Sequence, residues 1–135
     1  MQVSDKITFD EYWGGDRYQI KKPILNSSLV RMHGDNIYHK DLDGIWHQSN
    51  SQHSNSDGSV NAFNMKRDLS CNYVLIGDHF FYFGNKNISV SKKYQSLCST
   101  VRDFIKIRNN QLAEEFVAHI KNTVQPGIIG DPINW

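Results

Sequence analysis

Residues 49–64 read SNSQHSNSDGSVNAFN. Almost every position is Ser, Asn, Asp, Gln or Gly, with a single His. Composition of this kind is the default signature of a disordered linker. A linker joins domains, however, and a chain of 135 residues has the length of one domain. Long polar loops that stay ordered inside a compact domain tend to carry function. Ser, Asn and Asp can satisfy a loop's own backbone through Asx and Ser turns, and the same groups can hydrogen-bond the edges of a polar ligand. Composition alone leaves both possibilities open.

The segments on either side are more decided. NIYHKDLDGIWHQS predicts a β-hairpin, with Ile37-Tyr38-His39 and Ile45-Trp46-His47 flanking an Asp-Leu-Asp-Gly turn. Across it His39 and His47 can face each other. Downstream, NYVLIGDHFFYFG predicts two short strands, 73–76 and 80–83, broken at Gly77-Asp78. Near the start, Thr8 followed by Glu11 forms a capping box for a short helix carrying Phe9, Tyr12 and Trp13, which Gly14-Gly15 ends. Residues 16–35, with Pro23 and Gly34 as breakers, predict irregular or extended chain, and 85–107 carry no clear pattern. Leu112, Phe116, Ile120 and Val124, with Ala113 and Val117 beside them, predict a helix capped by Asn109 or Asn110 and ended by Pro126-Gly127. The apolar tail after it is expected to pack back on the body. The fold class is α+β: a single domain over 1–135, with a small twisted, mostly antiparallel sheet, a short N-terminal helix and a longer C-terminal helix. Strands so few and short leave an edge exposed or completed by something else.

Hydrophobic residues make up 39% and charged residues 21%, with a formal net charge of +1. That balance suits a globular protein and offers no global electrostatic reason to bind nucleic acid or a membrane. There is no apolar run of membrane-spanning length and no signal-peptide pattern at the start, so a cytoplasmic location is expected. Cys71 and Cys98 are isolated and fit no metal spacing. The six histidines form no His-Glu-x-x-His or His-x-His motif, which favours structural roles and no metal. His53, Ser54, Asp57 and Asp68 lie close in sequence, but no G-x-S-x-G elbow surrounds a serine, and no phosphate-binding glycine loop is present. Aromatic residues crowd the middle of the chain. One face of FFYF must be core, while Tyr38 or Trp46 could offer a stacking platform for a base.

The block from Gly34 to Gly84 resembles the centre of a bacterial and phage family, the nucleotide modification associated domain, type two. The resemblance lies in Gly34-Asp35-Asn36-Ile37-Tyr38, His53-Ser54, Asp57-Gly58, Asn61, Asn64, Asp68, Val74-Leu75-Ile76 and Tyr82-Phe83-Gly84. Phe9-Asp10-Glu11-Tyr12-Trp13 upstream and Gly130-Asp131-Pro132 with Trp135 at the end extend it over most of the chain. The resemblance implies work on modified nucleotides or modified bases, and a fold similar to a partial PUA-like or ASCH-like barrel. Two departures stand out. Strands expected ahead of Met1 are missing, which makes a homo-oligomer, with a second copy completing the sheet, the expected assembly. A Gly- and His-containing basic segment expected before the last helix is replaced by CSTVRDFIKIRNN. Within this framework residues 49–64 are expected to form an ordered loop that packs on the hairpin and lines the binding site.

The expected function is therefore a binding module for a nucleotide or modified nucleobase, able in a phage to sequester a nucleotide signal, with no cofactor. Tyr38 or Trp46 would stack on the base; His53, Ser54, Asn61 and Asn64 would hydrogen-bond it; Arg67, with Arg31 and Lys66, would meet phosphate. Near-neutral charge favours a small ligand over duplex nucleic acid. The alternatives are an enzyme acting on nucleotides, with His53 as general base oriented by Asp57 or Asp68, and a structural or protein-interaction module.

Overall fold

The computed structural model describes residues 1–99 and 106–131. They form two compact units: Val3–Gly77, and Asp78–Trp135 with Met1–Gln2.

In the first unit, strand β1 (Asp5–Thr8) runs directly into helix α1 (Phe9–Gly14). Thr8 makes that junction possible. Its hydroxyl accepts from the Glu11 amide at 3.2 Å, and the Glu11 carboxylate accepts from the Thr8 amide at 2.7 Å, the reciprocal capping box expected from sequence. The backbone hydrogen bond from Thr8 holds the Glu11 carboxyl below its ordinary range. β1 pairs antiparallel with β4 (Tyr73–Ile76), setting Ile7 opposite Val74. Inward residues of this ladder, of α1 and of the turn of chain after it then meet: Tyr12, Tyr18 and Ile76 are buried, with Ile7 and Val74 packed against them. Burying one side chain of this size contributes about 1.5–3 kcal/mol, and Ile37 and Tyr38 are buried in the same unit.

Residues 16–35 depart from the expected irregular chain. Asp16–Lys21 form a 3-10 helix that buries Tyr18, and Leu29–Met32 form helix α2. Gly15, Pro23 and Gly34 punctuate this region, but two short helices fit between them. Gly34 then brings the chain against Lys21–Pro23: a Cβ there would lie 2.3 Å from the Lys21 carbonyl oxygen.

The hairpin forms as expected, from β2 (Tyr38–Lys40) and β3 (Trp46–Gln48), with His39 opposite His47. Asp41 closes it. Its Oδ1 accepts from the amides of Asp43 and Ile45 at 3.0 and 2.8 Å, and its Oδ2 meets His47 Nε2 at 2.8 Å. Gly44 takes the left-handed conformation, φ +79°, that such a turn needs. His39 is stacked between Trp13 and His47, with ring centroids 4.0 and 5.4 Å away. Burial, then the neighbouring His47 and Lys22, keep the His39 pKa below its ordinary value.

Residues 49–61 form an ordered loop held by its own side chains. Asp57 accepts from the Ser59 hydroxyl and amide at 2.6 and 2.9 Å. Asn55 donates to Ser59 and to the Val60 carbonyl, each at 3.0 Å. The polar run ends sooner than composition suggests, because Ala62–Asp68 form helix α3. The Asn61 side chain caps it, accepting from the Asn64 amide at 2.9 Å.

In the second unit, β5 (Phe81–Tyr82) pairs parallel with β6 (Gly127–Ile128). The tail packs back as expected: Ile129 donates to the Tyr82 carbonyl, and Asn85 to that of Asp131, each at 2.8 Å. Helix α4 (Asn110–Thr123) is capped by Asn109 and buries Ile120. A 3-10 helix, Lys92–Leu97, sets Tyr94 on Phe116 at 5.2 Å, and Lys93 on Glu115 at 2.5 Å. Residues 100–105, within the segment expected from sequence to depart from the family pattern, and Pro132 and Trp135 lie outside the described residues.

The class is α+β. The strands form three separate two-stranded ladders, two antiparallel and one parallel, and close no barrel among the described residues. Strands of two to four residues, each interrupted by a polar turn or short helix, are too short to join into one continuous sheet. No helix of the described residues is long and apolar enough to cross a membrane.

Candidate functional site

The first unit contains a cavity of about 360 Å³, within the size range of small-molecule sites. Phe9 and Tyr12 of α1, Tyr38 of β2 and Tyr73 of β4 supply aromatic surface; Asp35, Asn36, His53 and Asp68 supply polar groups.

Asp68, the last residue of α3, is the centre of the polar side. Its Oδ2 accepts from the Tyr38 hydroxyl at 2.8 Å and meets His53 Nδ1 at 2.5 Å. Its Oδ1 accepts from Arg67 Nε at 3.0 Å. A carboxylate accepts only, so the shared proton belongs on His53 Nδ1; Nε2 then accepts when the ring carries one proton and donates when it carries two. Burial alone would raise the Asp68 carboxyl; hydrogen bonds from Tyr38, His53 and Arg67 together outweigh burial and hold it below its ordinary range. Burial and the bond to Asp68 push the Tyr38 phenol up to about 12, so it stays protonated and continues to donate.

Gln48 and the loop position these three residues. The Gln48 side-chain amide donates to the Tyr38 hydroxyl at 3.1 Å and to the His53 carbonyl at 3.2 Å. Its Oε1 accepts from the Asn61 amide at 2.9 Å. Asn64 also donates to the His53 carbonyl, at 2.9 Å. Ser51, buried at the cavity wall, accepts from the His53 amide at 3.2 Å. Thus the His53 backbone is fixed at its amide by the loop, through Ser51, and at its carbonyl by β3 and α3, through Gln48 and Asn64.

A second set of polar groups in the lining comes from residues 34–36. Tyr12 donates its hydroxyl to Asp35 Oδ1 at 2.7 Å, and burial followed by this bond raises the Tyr12 phenol's pKa well above its ordinary value. Asn36, 1% exposed, donates to the carbonyls of Tyr12 at 2.8 Å and Tyr18 at 3.2 Å. Its Oδ1 is buried without a hydrogen-bond partner among the described residues. Those two carbonyls fix the amide's orientation, because the reverse one would set oxygen against oxygen.

Of the residues singled out from sequence, the structure brings Tyr38, His53 and Asp68 together at the cavity. Asn61 caps α3 and donates to Asn55 at 2.9 Å; Asn64 supports His53; Ser54 accepts from the Ser51 amide at 3.1 Å; and Asp57 braces the loop turn. Trp46 packs edge-on to Phe9 at 5.5 Å and is outside the lining, as are Arg31, Lys66 and Arg67. Sequence reasoning missed Phe9, Tyr12, Asp35 and Asn36 as site residues. Phe9 and Tyr12 registered only as the apolar face of a helix and as part of a family pattern, and Asp35-Asn36 only as part of that pattern. Among the described residues no three His, Cys, Asp or Glu side chains are grouped to hold a metal.

The second unit has its own cavity, of about 430 Å³, walled by Phe81, Phe83, Ile88, Phe116 and Ile120. It has few polar groups and no linked acid and base.

The family model described as nucleotide modification associated domain 2 matches residues 1–135. No curated protein and no solved structure matches the chain.

Proposed function

The chain belongs to the nucleotide modification associated domain 2 family, and on that footing we propose that the cavity of residues 3–77 binds the base of a nucleotide or a modified nucleobase. The observation that carries this is the pairing of aromatic surface with a fixed polar group: Tyr38 contributes to the wall and also donates to the Asp68 carboxylate that holds His53. Aromatic rings stack on any base, and convergent polar groups orient it. With no Lys or Arg in the lining, the base enters and the phosphate stays outside. Binding without turnover would let the protein withhold a nucleotide signal.

Isothermal titration of the full chain against nucleosides, nucleotides, cyclic nucleotides and modified-base oligonucleotides tests this. At least one should bind with micromolar affinity or better, and Tyr38→Ala should weaken it by about tenfold or more through the lost stacking. No binding by any member at micromolar concentration would reject the proposal.

A second reading has one specific observation in its favour. His53 Nδ1 on Asp68 leaves Nε2 oriented as a base would be. Mass spectrometry of the ligand after incubation separates the two: recovery unchanged supports binding, while conversion that His53→Ala abolishes supports catalysis.

A further inference from the structure

The hydrogens that could donate into the cavity are largely committed elsewhere. The Tyr12 hydroxyl donates to Asp35 and the Tyr38 hydroxyl to Asp68. His53 Nδ1 faces the same Asp68 oxygen as Tyr38. Both amide hydrogens of Asn36 go to backbone carbonyls. What remains on these side chains is acceptor capacity: the carboxylate and phenol lone pairs and, in the neutral ring, His53 Nε2; Asn36 Oδ1 is also an unpartnered acceptor, but it is enclosed. The other donors of the lining are the Ser51 hydroxyl, the Gln52 amide and the His33 ring, whose Nδ1 lies 2.8 Å from the Leu29 carbonyl. The lining has two carboxylates and no Lys or Arg.

Resting on the proposal that the cavity takes a base, we infer that it selects bases whose hydrogen-bonding edge donates, with guanine the preferred unmodified base. Guanine presents a ring N–H beside an exocyclic amine. Two adjacent donors match one carboxylate, the arrangement that makes charge-assisted bidentate bonds strong. Asp35 is the carboxylate placed for this role. Its Oδ1 carries the Tyr12 bond, whereas both oxygens of Asp68 are already engaged, by Tyr38 and His53 on one side and by Arg67 on the other. Hypoxanthine keeps the ring N–H but has only a C–H where guanine carries its amine, so one of the two bonds to the carboxylate is lost; uracil and thymine put a carbonyl oxygen where cytosine carries its amine, acceptor against acceptor. A site that pairs with a substrate's N–H discriminates against the analogue lacking it, because that charge-assisted bond is lost.

The test is titration of the full chain with two matched pairs: guanosine against inosine, which lacks only the exocyclic amine, and cytidine against uridine. Guanosine and cytidine should bind about tenfold or more tightly than their partners. Asp35→Asn, which keeps an acceptor for the Tyr12 hydroxyl, should narrow the guanosine–inosine gap. Equal binding within each pair, or tighter binding of inosine or uridine, would overturn the inference and leave base binding itself standing. An unchanged gap in Asp35→Asn would overturn the role of Asp35. Absence of all nucleoside binding would overturn both proposals.

Discussion

Asp68→Ala is expected to destabilise the protein by about 2–4 kcal/mol and to remove nucleoside binding. Asp68 is 20% exposed at its side chain and accepts from Tyr38, His53 and Arg67. The exposed bond to Arg67 adds little, since water replaces it readily. Tyr38 is 4% exposed, and its hydroxyl would lose its acceptor inside the fold. A buried donor left without a partner carries its full desolvation cost, about 1–3 kcal/mol, and loss of His53's anchor adds to it. Thermal and urea unfolding measure the stability loss, and titration measures the binding. Unfolding by less than about 1 kcal/mol more readily would mean that the Tyr38–Asp68–His53 arrangement contributes little.

The same carboxylate makes stability depend on pH in a definite direction. Its folded pKa lies below the ordinary carboxylate value, so the folded state favours the ionised form. The resulting stabilisation is fully present above the unfolded value, about 4, and is lost as pH falls through the lowered folded value. The stability gap between the unaltered protein and Asp68→Asn should therefore be larger at neutral pH than at about pH 3.

Gly34→Ala is expected to be at least as damaging, about 3 kcal/mol or more, although residue 34 makes no side-chain contact. A Cβ there would meet Lys21 O at 2.3 Å, Pro23 N at 2.7 Å and Lys22 C at 2.8 Å. All three are backbone atoms, so no rotamer change relieves the contact. Separating these strands of chain would break the Asn36 amide's bond to the Lys21 carbonyl and displace Asp35 and Asn36 from Tyr12 and Tyr18. Tm should fall by about 6 °C or more, and any nucleoside binding should weaken with it. A melting curve unchanged to within a degree would mean that Gly34 is not held against the Lys21–Pro23 backbone.

Local signals were the legible ones. The Thr8–Glu11 capping box, the Asp41–Gly44 turn and the Asn109 cap each depend on residues within four positions of one another. The α4 helix repeats its apolar side chains often enough to be read from spacing alone. What sequence did not reveal was pairing at long range. β1 has only Ile7 as an inward apolar residue, and its partner β4 begins at Tyr73, so nothing near Asp5–Thr8 marked it as a strand. Helix α3 hid behind the polar composition of the loop that precedes it: Asn61 and Asn64 looked like ligand contacts, and they serve as a helix cap and a brace for the His53 carbonyl. The site divided in the same way. His53 and Asp68 were noticed because they lie fifteen positions apart in a polar region. Tyr12, Asp35 and Asn36 come together through folding of residues 12–36, which no periodicity records.

The most direct test of base binding at this cavity is a two-dimensional NMR titration of the full chain with guanosine, following backbone amides and histidine ring signals. The proposals predict shifts concentrated at Phe9, Tyr12, Asp35, Tyr38, Ser51 and His53, with a change in the His53 ring as its Nε2 gains a neighbour. Absence of shifts at saturating guanosine, or shifts centred on Phe81, Ile88 and Phe116 in the other unit, would contradict them.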